Sequence, residues 1–118
     1  MSDKPVAERL QVKKDRRLAL ADSPIAVEAP SAPLSEAEVV VQFVRNRADY
    51  ESKVPAVLKA IRADAILWIA YPKLTSKLAG DLNRDVIHRE SPALGIDCVS
   101  QIAIDDDWSA MRMKRIPS

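Results

Sequence analysis

Two apolar runs constrain this chain more than any other feature: Val39-Val40-Val41-Gln42-Phe43-Val44 and Ala65-Ile66-Leu67-Trp68-Ile69-Ala70, with residues 45–64 between them. Each is almost unbroken in β-branched or bulky side chains, the pattern of a strand buried on both faces. Between them Tyr50, Val54, Leu58 and Ile61 recur at spacings of four, four and three, the single apolar stripe of a helix. Asn46 stands where that helix begins, its side-chain oxygen suited to accept the orphan N–H groups of the first turn. Pro55 falls inside, and the sequence leaves open whether the helix kinks there or splits in two. A strand, a helix and a second strand in one crossover make the strands parallel and the connection right-handed.

The flanking segments extend this unit. Residues 81–90 are helical in pattern, with Leu82 and Val86 four apart, Asp81 at the N-cap position and Asp85/Arg89 as an i,i+4 ion pair. Pro92 and Gly95 close that segment. Ile96, Cys98, Ser100, Ile102 and Ile104 then alternate with Asp97, Val99, Gln101 and Ala103, which reads as a strand. Asp105-Asp106-Asp107 makes a turn, and residues 108–113 run back as an antiparallel partner. Trp108, Ala110 and Arg112 share one face of it, Ser109, Met111 and Met113 the other. Upstream, a short helix is expected over 5–10, a strand over 17–21, and a loop over 22–35 carrying Pro24, Pro30, Pro33 and a brief extended piece at Ile25-Ala26-Val27. The expected fold is α/β: a small Rossmann-like three-layer domain, mostly parallel sheet with a C-terminal antiparallel hairpin. Residues 1–118 form a single domain in this reading, with an N-terminal helix or arm over 1–15, a proline-rich loop over 22–35 and a core over 38–113.

Composition narrows the chemistry. One Cys (Cys98) and one His (His88) exclude an intrachain disulfide and leave too few soft ligands for a zinc site. Two glycines, Gly80 and Gly95, exclude the Gly-rich phosphate loops. A net charge of +1, from 18 Lys+Arg against 17 Asp+Glu, is not that of a polyelectrolyte. The basic clusters at residues 13–17 and at Arg112, Lys114 and Arg115 lack interleaved aromatics, which argues against nucleic acid. The polar N-terminus and the short apolar runs point to a cytoplasmic protein with no membrane segment. No cofactor and no metal is implied by any motif.

The order strand, helix, strand, helix, antiparallel pair over residues 38–113 resembles the second half of the Rossmann-like methyltransferase sheet. That resemblance implies a cofactor held at a glycine-rich turn after the first strand. Here the corresponding segment, Leu20-Ala21-Asp22-Ser23-Pro24, has no glycine, which argues against methyl transfer from S-adenosylmethionine. Three ordered phrases carry a second likeness: Leu67-Trp68-Ile69-Ala70-Tyr71-Pro72-Lys73, Gly80-Asp81-Leu82-Asn83-Arg84-Asp85, and Asp105-Asp106-Asp107-Trp108-Ser109-Ala110-Met111-Arg112. They are similar to the signatures of a bacterial family of small conserved proteins of unknown function, over about residues 5–115. The likeness implies a Rossmann-like single domain and brings no activity with it.

In an open parallel sheet, ligands sit beyond the carboxyl ends of the strands. Arg45-Asn46 and Tyr71-Pro72-Lys73 therefore share one edge. Lys73, a flexible ammonium there, is the candidate contact for a carboxylate or phosphate, with Thr75, Ser76 and Lys77 as further donors. Asp81 and Asp85, four apart, are suited to acid/base work or a hard cation, against the plainer roles of N-cap and ion-pair partner. Asp105-Asp106-Asp107 has the ligand type for Mg²⁺ or Ca²⁺ but the geometry of a solvated turn. Trp108 is a core residue or an aromatic wall with Arg112 gripping an anion, and Cys98 is a small buried hydrophobe. The missing nucleophile triad, metal cluster and phosphate loop favour a non-enzymatic binding or regulatory module. It would hold a small anion or a protein partner near Lys73, with Tyr71, Ser76, Asn46, Asp81, Arg112 and Trp108 as contacts. A second copy would pair along the hairpin edge. The alternative is a small enzyme acting on an anionic substrate with Lys73 and Asp81 or Asp85, which requires those side chains to converge.

Overall fold

The two apolar runs become neighbouring parallel strands, β2 (Val39–Phe43) and β3 (Ile66–Pro72), in register from Val39↔Ile66 to Phe43↔Ala70. Every residue of β2 is buried, as a strand covered on both faces must be. β1 (Leu18–Ala21) pairs parallel on the outer side of β2, while β5 (Trp108–Arg115) runs antiparallel between β3 and β4 (Ile96–Ala103). The sheet order is β1-β2-β3-β5-β4. Three helices accompany it: α1 (Val6–Arg9), α2 (Arg47–Ala60) and α3 (Arg84–Glu90), the last followed by a 3-10 turn over Ser91–Leu94. The computed structural model describes residues 6–12 and 15–116, so Pro5, Lys13 and Lys14 lie outside the described residues. Among the described residues no helix is long and apolar enough to cross a membrane.

The sheet has two dissimilar faces. On one, Val40, Leu67, Ile69, Tyr71, Met111 and Met113 pack beneath Tyr50, Val54 and Val57 of α2 and Val86 and Ile87 of α3. On the other, Val39, Val41, Phe43, Trp68, Ala70, Trp108 and Ala110 are covered by Leu10 and by half-buried Ile25, Val27 and Ala29. The buried Trp68 indole donates to the Leu10 carbonyl at 3.0 Å and fixes the N-terminal segment there. The expected three-layer arrangement is thus corrected: among the described residues the second face carries one turn of helix and the proline-rich crossover, with no helical layer. Pro24, Pro30 and Pro33 remove the backbone donors a helix or strand would need, and this segment makes only an isolated bridge, Leu18↔Ser31. The extended piece at residues 25–27 forms no strand. What stands is a mixed α/β fold: a five-stranded sheet, parallel in its first half and closed by an antiparallel hairpin.

Four local readings are also settled or changed. α2 runs unbroken through Pro55, whose missing N–H frees only the carbonyl of exposed Glu51 to water. α3 starts at Arg84, capped by Asn83, whose side chain accepts from Val86 N at 3.0 Å, so Asp81 is not its N-cap. Asp85 and Arg89 form no ion pair among the described residues, and Glu90 instead pairs with Arg47 of α2. In β4 a one-residue bulge at Val99 breaks the alternation. Ile96 and Cys98 face the helix-covered core, whereas Ile102 and Ile104 pack on the opposite face. A bulge does this because it shifts the period-2 pattern by one residue.

Glu38, just before β2, ties three segments together. Its carboxylate accepts from Arg17 N (2.8 Å), Nε (3.1 Å) and Nη2 (2.9 Å), and from Arg62 Nη1 (2.9 Å). The Arg17 hydrogen bonds hold its pKa at about 2, below the ordinary 4.5. A depressed carboxylate contributes stability that is complete above the unfolded value and is lost as pH falls from 4.5 through about 2. The Tm of the wild-type chain should therefore drop more steeply across that window than the Tm of Glu38→Gln, as read by circular dichroism melts. Trp68→Phe strands the buried Leu10 carbonyl and should cost about 1–3 kcal/mol in urea unfolding.

Candidate functional site

Alternation along β3 sends Leu67, Ile69 and Tyr71 to the helix-covered face, and the chain then emerges at Lys73. The same alternation along β5 places Ser109 directly opposite Tyr71. Downstream of the bulge, Gln101 of β4 joins them, and the first turn of α3 brings Arg84 and Asp85 above. These residues, with Thr75, wall a cavity of about 340 Å³ beyond the carboxyl end of β3. Lys73 is rooted by its own N–H, which donates to the Asp107 carbonyl at 2.8 Å.

The floor of the cavity is unusual. Tyr71 is 3% exposed, and its hydroxyl is buried with no hydrogen-bond partner. Burial pushes its pKa above 10, and neighbouring Arg84 partly offsets this, as does Ser109 without reaching hydrogen-bond geometry. Buried polar atoms are almost always paired, so an orphan hydroxyl asks what it is meant to meet. Tyr50 shows the ordinary solution: its hydroxyl lies 2.8 Å from Ser91 Oγ. Cys98, close to the same floor, has its thiol pKa raised by burial and by Asp97, which keeps it protonated and inert.

Of the residues singled out from the sequence, Tyr71, Lys73, Thr75 and Asp85 converge here. The others do not. Asp81 Oδ1 accepts from Arg47 N at 2.9 Å, at the start of α2, and Asp81 does not line the cavity that Lys73 lines. Asn46 caps α2, accepting from Asp49 N at 2.8 Å. Ser76 Oγ donates to Asp107 Oδ1 at 2.8 Å and braces the loop. Trp108 lies on the opposite face, edge-on to Phe43 with ring centroids 5.1 Å apart. Arg112, opposite Trp68, belongs to a separate cavity of about 400 Å³ near Ile66, the other end of β3. His88 is exposed. The triple aspartate is a turn: Asp105 Oδ1 accepts from Asp107 N and Trp108 N, both at 2.8 Å. No group of His, Cys, Asp and Glu suited to a metal occurs among the described residues.

Sequence reasoning missed Ser109, Arg84 and Gln101. Ser109 carried a signal, as the one polar residue on the face it shares with Met111 and Met113. Arg84 was hidden by the misplaced start of α3, and Gln101 by the bulge.

The carboxyl ends of β1 and β2 are built differently. Asp22 follows β1 in a left-handed conformation, φ 56°. The buried Gln42 amide donates to Asp22 Oδ2 and to the Phe43 carbonyl, both at 2.9 Å, and Lys53 Nζ lies 3.5 Å from Asp22. The Gln42 hydrogen bond, with Lys53 and Arg45 nearby, lowers the Asp22 pKa.

No family model matches the chain, and no curated protein matches it. Solved structures do. A DhpI–SAH complex aligns at 14% identity and TM-score 0.53, over 88% of this chain and 68% of that one. LepI in complex with SAM aligns at 9% and 0.56, over 93% and 39%. The ribosomal protein L11 methylase from Lactobacillus delbrueckii subsp. bulgaricus aligns at 10% and 0.52, over 95% and 63%. The chain therefore spans less than two thirds of the length of the latter two. These proteins bind SAM or SAH or are described as a methylase, and that finding overturns the expectation of a non-enzymatic binding or regulatory module. Tyr71→Phe should leave urea-unfolding stability within about 1 kcal/mol, since it removes an unpaired hydroxyl, whereas Tyr50→Phe should cost about 1–3 kcal/mol by orphaning Ser91. At such identities the likeness establishes the fold alone: a small mixed α/β domain, similar in its sheet to SAM-methyltransferase-like folds.

Proposed function

We propose that the chain is a small enzyme that binds an anionic substrate in the Tyr71 cavity and moves a proton there. The observation that carries this reading is the buried, partnerless Tyr71 hydroxyl beneath a rim that holds two cations and a carboxylate. Lys73 supplies a mobile point charge and Arg84 a planar fork, a pair suited to a carboxylate or phosphate. As those long side chains close on a bound anion, the hydroxyl behind them gains an acceptor. Its raised pKa keeps it protonated at neutral pH, so it donates to negative charge developing on the substrate. Asp85, across the rim, is the proton acceptor.

The residues at the ends of β1 and β2 do not fit SAM in the manner the fold resemblance implies. No glycine follows β1, and Asp22 fills the turn, where its carboxylate is already bonded to Gln42 and Lys53. No step is routed through that cofactor.

In a thermal-shift series with acetate, inorganic phosphate and pyrophosphate, at least one anion should raise the wild-type Tm. Lys73→Ala and Arg84→Ala should each lose that rise while keeping the unliganded Tm within about two degrees, because Arg84 is exposed and Lys73 half-buried, outside the core, where substitutions cost little. A rise preserved in both variants, or no rise with any anion, contradicts the proposal.

A further inference from the structure

Lys73 also lines a second cavity, of about 540 Å³, together with Arg9, Ile102, Ile104, Asp105 and Asp106. The guanidinium of Arg9, on α1, donates through Nη1 to the Ala103 carbonyl and through Nη2 to the Ile104 carbonyl at 3.3 Å. Its Nε is buried and has no partner among the described residues. Among the described residues only two side-chain nitrogen or oxygen atoms are buried and unpaired, Tyr71 Oη and Arg9 Nε. The residues that carry them, Tyr71 and Arg9, each line one of the two cavities that share Lys73. An unmet buried donor costs free energy, and a molecule lying across Lys73 would satisfy both.

The chemistry of the second cavity selects what reaches Arg9. Asp105 and Asp106 on its wall disfavour a second anion, so the acceptor for Nε is a neutral carbonyl oxygen. Half-buried Ile102 beside it offers contact to an alkyl chain. From this juxtaposition we infer that the substrate is an acylated amino acid or a close analogue. Its carboxylate sits with Lys73, Arg84 and Tyr71, its amide or ester carbonyl accepts from Arg9 Nε, and its acyl arm lies over Ile102. This inference rests on the reading of the Tyr71 cavity as an anion seat and names the class of molecule that seat takes.

The test is isothermal titration of the full chain with acetate, octanoate and N-octanoylglycine. N-octanoylglycine should bind at least about tenfold more tightly than either simple acid, the scale of one added hydrogen bond to a charged group. Arg9→Lys keeps the charge but removes the Nε–H donor. It should abolish that advantage and leave acetate affinity unchanged. Ile102→Asp, which leaves Arg9 in place, should also weaken N-octanoylglycine while sparing acetate, so a folding defect in one variant does not decide the matter. Equal affinities for N-octanoylglycine and octanoate, or an advantage that survives in Arg9→Lys, overturns the inference while leaving the anion seat standing. If none of the three carboxylates binds, the inference falls, and the reading beneath it falls with it only if inorganic phosphate and pyrophosphate also fail to bind.

Discussion

The double-sided burial of β2 is the constraint on which the rest of the structure depends. A strand with no exposed residue must be covered twice, and the described residues supply helices enough for one face only. α2 and α3 take that face, and the other is closed by Leu10 and the proline-rich crossover, pinned by the Trp68 indole. Because β2 and β3 are parallel, their carboxyl ends open at the same edge, and the chain must leave that edge through Tyr71-Pro72-Lys73. The return of β5 beside β3 sets Ser109 against Tyr71 and leaves a polar gap beneath α3. The cavity is thus a consequence of sheet topology.

The strand-helix-strand unit was legible in the sequence because its signals agree at every level: unbroken apolar runs, a single helical stripe, and Asn46 at the cap. The hairpin was legible for the same reason, through the two faces of β5. Three kinds of information were not. The bulge at Val99 depends on pairing with β5, which no local pattern encodes. The start of α3 was misplaced at Asp81, because only the tertiary contact with Arg47 takes that carboxylate and leaves the cap to Asn83. The cover of the second face relies on proline-rich chain, whose periodicity carries no signal.

These limits shaped the site as well. Lys73 and Tyr71 were found because they follow an unmistakable strand, and Asp85 because it sits on a helix that packs nearby. Asp81, Asn46, Ser76, Trp108 and Arg112 share sequence proximity or chemistry with the site, but their side chains are spent on caps, loop bracing, core packing or the far end of the sheet. The same economy separates this chain from the SAM- and SAH-bound structures that share its fold. Where the resemblance implies a glycine turn after β1, it has a bonded aspartate. Its candidate chemistry lies instead beyond β3, beside the hairpin. Fold and activity are separable in this way because a sheet fixes where ligands can sit, and side chains fix which ones do.

The orphan hydroxyl is the central claim, and the two tyrosines of the chain make it directly observable. With ¹³Cζ-labelled tyrosine, NMR resolves Tyr71 from Tyr50, whose hydroxyl is already bonded to Ser91. Titrating a binding anion should move the Tyr71 signal saturably and leave Tyr50 in place. A Tyr71 signal that stays fixed while the anion binds would show that the hydroxyl faces no ligand and that the seat lies elsewhere.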